Sequence, residues 1–195
     1  MLSAEDNILI SEVGPKSLLG TLLRRFWTPF IEADKLPIPD CDPVEVRLLG
    51  EDLVAFRDSQ GHYVLMQGWC PHRGSPLFYG RNEENGIRCI YHGWKFDASG
   101  SCVEMPSEPA SSNFKSKVFA RTYPVREMAG VLFAYMGPPD LEPEMPRIEW
   151  GGLKPSQLNV VRYNQECNWV QAMEGDIDSS HVGFLHRGAL NQESA

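Results

Sequence analysis

At 195 residues, with 42% hydrophobic and 23% charged residues, the chain has room for one large domain, or a domain plus part of another, and enough apolar content for a packed core. A formal charge of −8 argues against nucleic acid or an anionic membrane surface as partner, since both require a basic face. Five cysteines without regular spacing do not read as a secreted disulfide framework. The start, Met1 to Asn7, has no basic patch ahead of an apolar run, and the longest apolar stretch, Val131 to Met136, is far too short to cross a bilayer. A reduced, cytoplasmic setting is expected.

Residues 1 to 16 are polar, end in Gly14-Pro15 and read as a lead-in arm. Ser17 then caps a short helix whose apolar positions Leu18, Leu19, Leu22, Leu23 and Phe26 recur at three and four, with Arg24 and Arg25 on the other side and a stop before Pro29. Such a helix docks on a core. Pro37, Pro39 and Pro43 make the next segment an extended connector. From Val44 the pattern is that of strands: Val44 to Leu49 and Leu53 to Arg57 around Gly50-Glu51-Asp52, then Tyr63 to Met66 after the Ser59-Gln60-Gly61 turn. Ile87 to Ile90, Trp94 to Phe96, Val125 to Met128 and Val131 to Met136 continue the series. Many short strands joined by Gly-rich turns predict a mainly β module of antiparallel sheets.

Two loops interrupt the strands, Cys70-Pro71-His72-Arg73-Gly74 and Cys89-Ile90-Tyr91-His92-Gly93-Trp94. Each offers one thiolate and one imidazole, and the Gly after each pair lets the backbone turn close to what the pair holds. Structural zinc also takes Cys2His2, but zinc fingers draw both cysteines from one element and both histidines from another. Here each loop is mixed. A Rieske [2Fe–2S] centre needs two Cys on one iron and two His on the other, which facing mixed loops deliver. Arg73, Arg81, Arg88 and Lys95 flank these loops, either as a solvated rim or as a docking face for an acidic electron donor.

Gly137-Pro138-Pro139 and the prolines at 143, 146 and 155 break regular structure and place a domain boundary near residue 140. The domains expected are therefore an arm and helix at 1–40, the two-loop β domain at 41–140, and the start of a further domain at 141–195. Within the last stretch, Asp178, His181 and His186 form D-x2-H-x4-H. Two imidazoles and a carboxylate suit Fe(II) in a facial triad with open positions. Core or capping histidines are the alternative. Histidines five apart do not share a helix face, so Gly183 is expected to bend or end the helix between them.

Cys70-Pro-His72-Arg-Gly together with Cys89-x-Tyr-His92-Gly-Trp-x-Phe-Asp resembles the Rieske domain of aromatic ring-hydroxylating oxygenases, of the phthalate-dioxygenase-like branch, from about Gly20 to about His186. The resemblance implies a short helical arm, a Rieske domain with two metal-binding hairpin loops, and the truncated start of an α+β catalytic domain. It implies Cys70, His72, Cys89 and His92 as cluster ligands and His181 and His186 as ligands of a mononuclear Fe(II). Asp178 matches the family's bridging aspartate, which hydrogen-bonds the ligand at His181 and, across a subunit boundary, the one at His92. An oxygenase component is implied, taking electrons from a reductase or ferredoxin and using O2 to hydroxylate or O-demethylate a small aromatic compound, commonly as a homotrimer. A stand-alone Rieske ferredoxin and a zinc-binding interaction module are the alternatives.

Three departures matter. Respiratory Rieske proteins carry an extra Cys in each loop, the two joined as a disulfide, and the matching positions here are Ser75 and Tyr91, so that bridge cannot form. Where those proteins present a Ser and a Tyr hydroxyl to the cluster sulfurs, this chain has Trp94 and Phe96, which predicts a low reduction potential. The family's third iron ligand is a distant downstream Asp, whereas beyond His186 the single acid is Glu193. The chain is therefore expected to be the N-terminal portion of a longer protein.

Overall fold

The computed structural model describes residues 2–109 and 111–190; Glu193 lies outside them. Two compact units are present, Val13–Arg162 and a second made of Met1–Glu12 with Tyr163–Ala195. Helix α1 (Ala4–Ser11) opens the second, where the sequence predicted a loop. Ser3 caps it by accepting from the Asp6 N–H at 3.1 Å, and Glu5 and Asp6 place negative charge in its first turn.

Helix α2 (Leu18–Leu23) begins the larger unit and is capped as expected, Ser17 Oγ accepting from Gly20 N at 2.9 Å. Its buried face is rotated from the predicted one, with Leu19 and Leu23 half-buried and Arg25 exposed as expected. Leu18, Leu22 and Phe26 are exposed while Arg24 is buried. Gly20 explains the rotation, because a Cβ there would stand 2.0 Å from the Gly14 carbonyl oxygen, so only this bare face fits against the chain. The Arg24 guanidinium then finds carbonyl partners at Val13, Gly20 and Leu49 and the Glu51 carboxylate, at 2.6 to 3.0 Å. A fully partnered guanidinium can be buried; a lone one cannot.

The strands form three antiparallel sheets. They are β1 (Thr28–Glu32), β2 (Val44–Leu48), β3 (Glu51–Arg57), β4 (Tyr63–Gln67), β5 (Arg81–Glu83), β6 (Gly86–Arg88), β7 (Lys95–Asp97), β8 (Cys102–Glu104), β9 (Thr122–Tyr123), β10 (Val125–Met128) and β11 (Val131–Ala134). Sheet orders are β1-β11-β10, β2-β3-β4-β9 and β5-β6-β7-β8. Three hairpins close on two-residue turns, Leu49-Gly50, Glu84-Asn85 and Ala129-Gly130, with both residues at positive φ. This is the twist that antiparallel partners require. The strands β1, β5, β8 and β9 were not predicted.

Side-chain alternation divides the core of this unit. Val54, Phe56, Val64 and Met66 point from the middle sheet into a cluster with Cys70, Cys89, Trp94 and Phe96. Leu53, Ala55 and Leu65 point the other way, against Ile31, Leu132, Ala134 and Met136 of the sheet built on β1 and β11. The middle sheet is thus buried on both faces, as its continuous apolar run in β3 requires.

In the smaller unit α3 (Trp169–Ile177) packs on α1, Trp169 donating its indole N–H to the Ile10 carbonyl at 3.0 Å. Two short helices follow, α4 (Val182–Leu185) and α5 (Arg187–Leu190). Gly183 lies inside α4, contrary to expectation. The helical path is broken instead at Asp178, the C-cap of α3, and at His186, the C-cap of α4. All five cysteines are free. Among the described residues no helix is long and apolar enough to cross a membrane.

Candidate metal centre

The two loops repeat one backbone design. Cys70 N donates to Ser75 O at 2.8 Å and Gly74 N to Cys70 O at 2.9 Å; Cys89 N donates to Trp94 O at 2.9 Å and Gly93 N to Cys89 O at 3.0 Å. Each is a turn whose fifth residue is a glycine at positive φ, +64° for Gly74 and +72° for Gly93, where a side chain would be strained. The first turn follows β4, with Trp69 and Pro76 bridging its neck; the second joins β6 to β7.

Within this frame the donors are sorted by type. Cys70 and Cys89 lie side by side, 3% and 2% exposed. The His72 and His92 rings meet at 4.6 Å between centroids, edge to face, and are only partly buried. Sulfur faces sulfur inside, and imidazole faces imidazole outside. Burial pushes the Cys70 thiol up to about 11, with the Cys89 sulfur adding to the rise against backbone N–H groups in its own loop. Burial also lowers His72, helped by His92 and Arg73. Thiols and imidazoles must lose protons to bind metal, so His72 is already suited and Cys70 needs a cation to offset its burial. Two sulfurs and two imidazoles, segregated at opposite ends of one site, fit a two-iron cluster with sulfur ligation on one iron and nitrogen on the other.

Sequence reasoning missed what surrounds the ligands. Trp94, 4% exposed, stacks flat on His72 at 4.2 Å and 8°, fixing the plane of that ring. Arg88 and Lys95 are no surface rim. Lys95 is 3% exposed and bonds Glu84 at 2.9 Å and Glu104 at 3.2 Å, while Arg88 bonds Glu83 at 2.6 Å and Glu104 at 2.8 Å. Both sit beside core residues of their strands, Ile87 and Phe96, and acids on β5, on β8 and in the Glu84-Asn85 turn hold them there. Arg73 and Arg81 remain exposed, Arg81 paired with Glu83 at 3.0 Å.

A match to the protein-family model described as "Rieske [2Fe-2S] domain" covers residues 26–124. The chain belongs to the Rieske [2Fe–2S] family. That Rieske match contains both loops and everything packed on them. Residues 134–194 match a second model, "LigXa C-terminal domain like". The chain is 45% identical over 193 residues to the 3-chlorobenzoate-3,4-dioxygenase oxygenase subunit of Comamonas testosteroni, covering 99% of this chain and 44% of that one. It is 45% identical over 186 residues to the phthalate 4,5-dioxygenase oxygenase subunit of Pseudomonas putida, covering 95% and 42%. Among solved structures, NdmA of Pseudomonas putida CBB5 superposes with a TM-score of 0.69 at 28% identity, over 85% of this chain and 51% of that one. This Rieske chain therefore spans under half the length of these two curated relatives.

The second constellation lies in the other compact unit. Asp178 Oδ1 accepts from Ser180 N at 2.8 Å, and Oδ2 lies 3.2 Å from His181 Nδ1. The Ser180 N–H, then His181, hold the Asp178 carboxyl below its ordinary range. His181 and His186 bracket α4 with ring centroids 5.3 Å apart, edge to face. One short helical turn thus brings together the two histidines that sequence spacing alone left on different faces. Among the described residues, no three His, Cys, Asp or Glu side chains gather as a single-ion site. A facial triad needs three protein ligands, whereas each iron of a Rieske cluster takes two.

Proposed function

We propose that this chain forms the electron-accepting part of the oxygenase component of a Rieske-type aromatic ring-hydroxylating oxygenase. The sorting of sulfur from imidazole at the loop tips carries the reading, and the resemblance to oxygenase subunits of aromatic dioxygenases supports it. Cys70, Cys89, His72 and His92 would hold the [2Fe–2S] cluster. When bound, the cluster supplies one-electron storage between an external reductase or ferredoxin and the site of oxygen chemistry.

The remaining roles fall to the smaller unit. His181 and His186 would be the protein's first two ligands to a mononuclear Fe(II), within residues 141–195 as the beginning of its catalytic domain, of which the part up to Arg162 belongs to the larger unit. Asp178 keeps its charge and accepts from the His181 ring N–H, fixing the tautomer that leaves the other nitrogen free to bind metal. Its link to His92 would be made across a subunit boundary in a ring-shaped homo-oligomer, with a trimer the expected form. An aromatic substrate, O2 and a cytoplasmic location complete the reading.

Purification with iron and sulfide under anaerobic conditions tests the core of it. Equal iron and acid-labile sulfide, brown colour and a Rieske-type paramagnetic signal on reduction are expected. Colourless protein carrying zinc would leave only an interaction module. A cluster-loaded whole protein whose iron never exceeds its acid-labile sulfide would leave only the electron-carrier reading.

A further inference from the structure

Strands β6 and β7 carry the second cluster loop, and at their mouths Arg88 stands directly opposite Lys95. Like charges in register repel, and Arg81 is Arg88's partner on the other side. An apolar pair would be the simple choice so near a core. Instead three acids from flanking strands and turns compensate, Glu83, Glu84 and Glu104. So costly a cluster of charges calls for a reason beyond sheet stability.

The Arg88 fork supplies one. Its Nε donates to Glu83 at 2.6 Å, Nη2 to Glu104 at 2.8 Å, and Nη1 to the carbonyl of Gly93 at 3.0 Å. Gly93 follows His92, and its own N–H donates to the Cys89 carbonyl. The guanidinium is therefore fastened at two nitrogens to carboxylates and with the third donates to the carbonyl of the Gly93–Trp94 peptide, one residue past His92. We propose that Arg88 is a positioning residue for the second cluster loop, setting the orientation of His92 and the grip of the loop on the cluster. This rests on the Rieske reading above. Lysine cannot substitute, having a single nitrogen where three separate directions are served.

The test uses the whole chain loaded with iron and sulfide and compares wild type with Arg88→Lys, Arg88→Met and Arg81→Met. Arg81 pairs with the same Glu83 but is exposed. Arg88→Lys is expected to keep the wild-type fold and iron content yet lose iron to a chelator about tenfold faster, with shifted g-values of the reduced cluster. Arg81→Met should match wild type. The proposal is overturned if Arg88→Lys restores wild-type chelation rate and g-values, which would mark a charge-balancing role alone, or if Arg81→Met behaves as the Arg88 variants do. Arg88→Met guards against a folding artefact: in molecules that fold and load, it must show the same shift in g-values. Wild-type protein without a Rieske signal would instead defeat the underlying reading, and this inference with it.

Discussion

Trp94 and Phe96 stand where hydroxyl donors sit in the high-potential Rieske proteins of respiratory chains. The indole N–H of Trp94 is directed to Ser107 Oγ, 3.4 Å away, and Phe96 has no donor to give. Without those hydroxyls the reduced, more negative cluster loses stabilisation, so a redox titration is expected to give a midpoint near the lower end of the Rieske range, about −150 mV upward. A value well above roughly +100 mV would show that other donors have taken their place. The cluster-ligand candidates and the mixed loops were legible from residue types alone. Trp94's stacking on His72 was not, because ring contact depends on a turn geometry that spacing does not encode. At Asp178 the bond to His181 motivates a second expectation. In a protein with its complete catalytic domain, Asp178→Asn should leave both metals bound and strongly reduce coupled turnover. Turnover equal to wild type would remove the aspartate from the path between the metals.

The four-stranded sheet β5-β6-β7-β8 is an element whose stability should depend on pH at both ends. Arg88's hydrogen bond holds the Glu104 carboxyl below its ordinary value, and hydrogen bonds from Arg81 and Arg88 do the same for Glu83. A lowered carboxyl contributes stability that is present above the ordinary 4.5 and lost as pH falls through the folded-state value. Burial alone would lower Lys95, but the hydrogen bonds it donates to Glu84 and Glu104 outweigh it and leave the group raised. Its contribution is present below 10.5 and lost as pH rises through the folded value. The contribution of these pairs to the thermal midpoint should thus be constant between these limits and fall outside them, and Glu104→Gln should blunt the acidic fall. An unchanged acidic limb in that variant would show that other carboxylates govern it. Sequence reading placed Arg88 and Lys95 at the surface because charge usually marks solvent. The error is instructive at the scale of the element: each cation's partners come from strands and a turn whose pairing could not be read from the sequence. Non-local partners also turned α2, where apolar spacing favoured Leu18 and Leu22 along with Leu19 and Leu23 as the inner face while Gly20 and the carbonyls around Arg24 exposed the first two.

Across the larger unit, seven of the eleven strands followed from β-prone runs between Gly-containing turns, and both candidate metal-binding turns from their Cys and His, whereas β1, β5, β8 and β9 did not. Each of those is short or interrupted: β1 contains Pro29, and β9 spans Thr122–Tyr123. Their pairing is imposed by neighbours and not by local pattern. The arm predicted at the start is in part α1, stabilised by packing on α3, a contact between segments distant in sequence. Non-local pairing of this kind is what a single sequence hides.

The strand β3 lies between two partners and beneath two separate cores. Removing iron and sulfide would slacken only one of those cores, leaving the packing on Leu53, Ala55 and Leu65 in place. Deuterium should therefore penetrate the amides of Val54 and Ala55 last of all in this unit, in loaded and stripped protein alike, while Cys70 to Gly74 and Cys89 to Gly93 become open to exchange once the metal is gone. The fold would in that case outlast its cargo, and a protein damaged by oxidation could be refilled without being made anew.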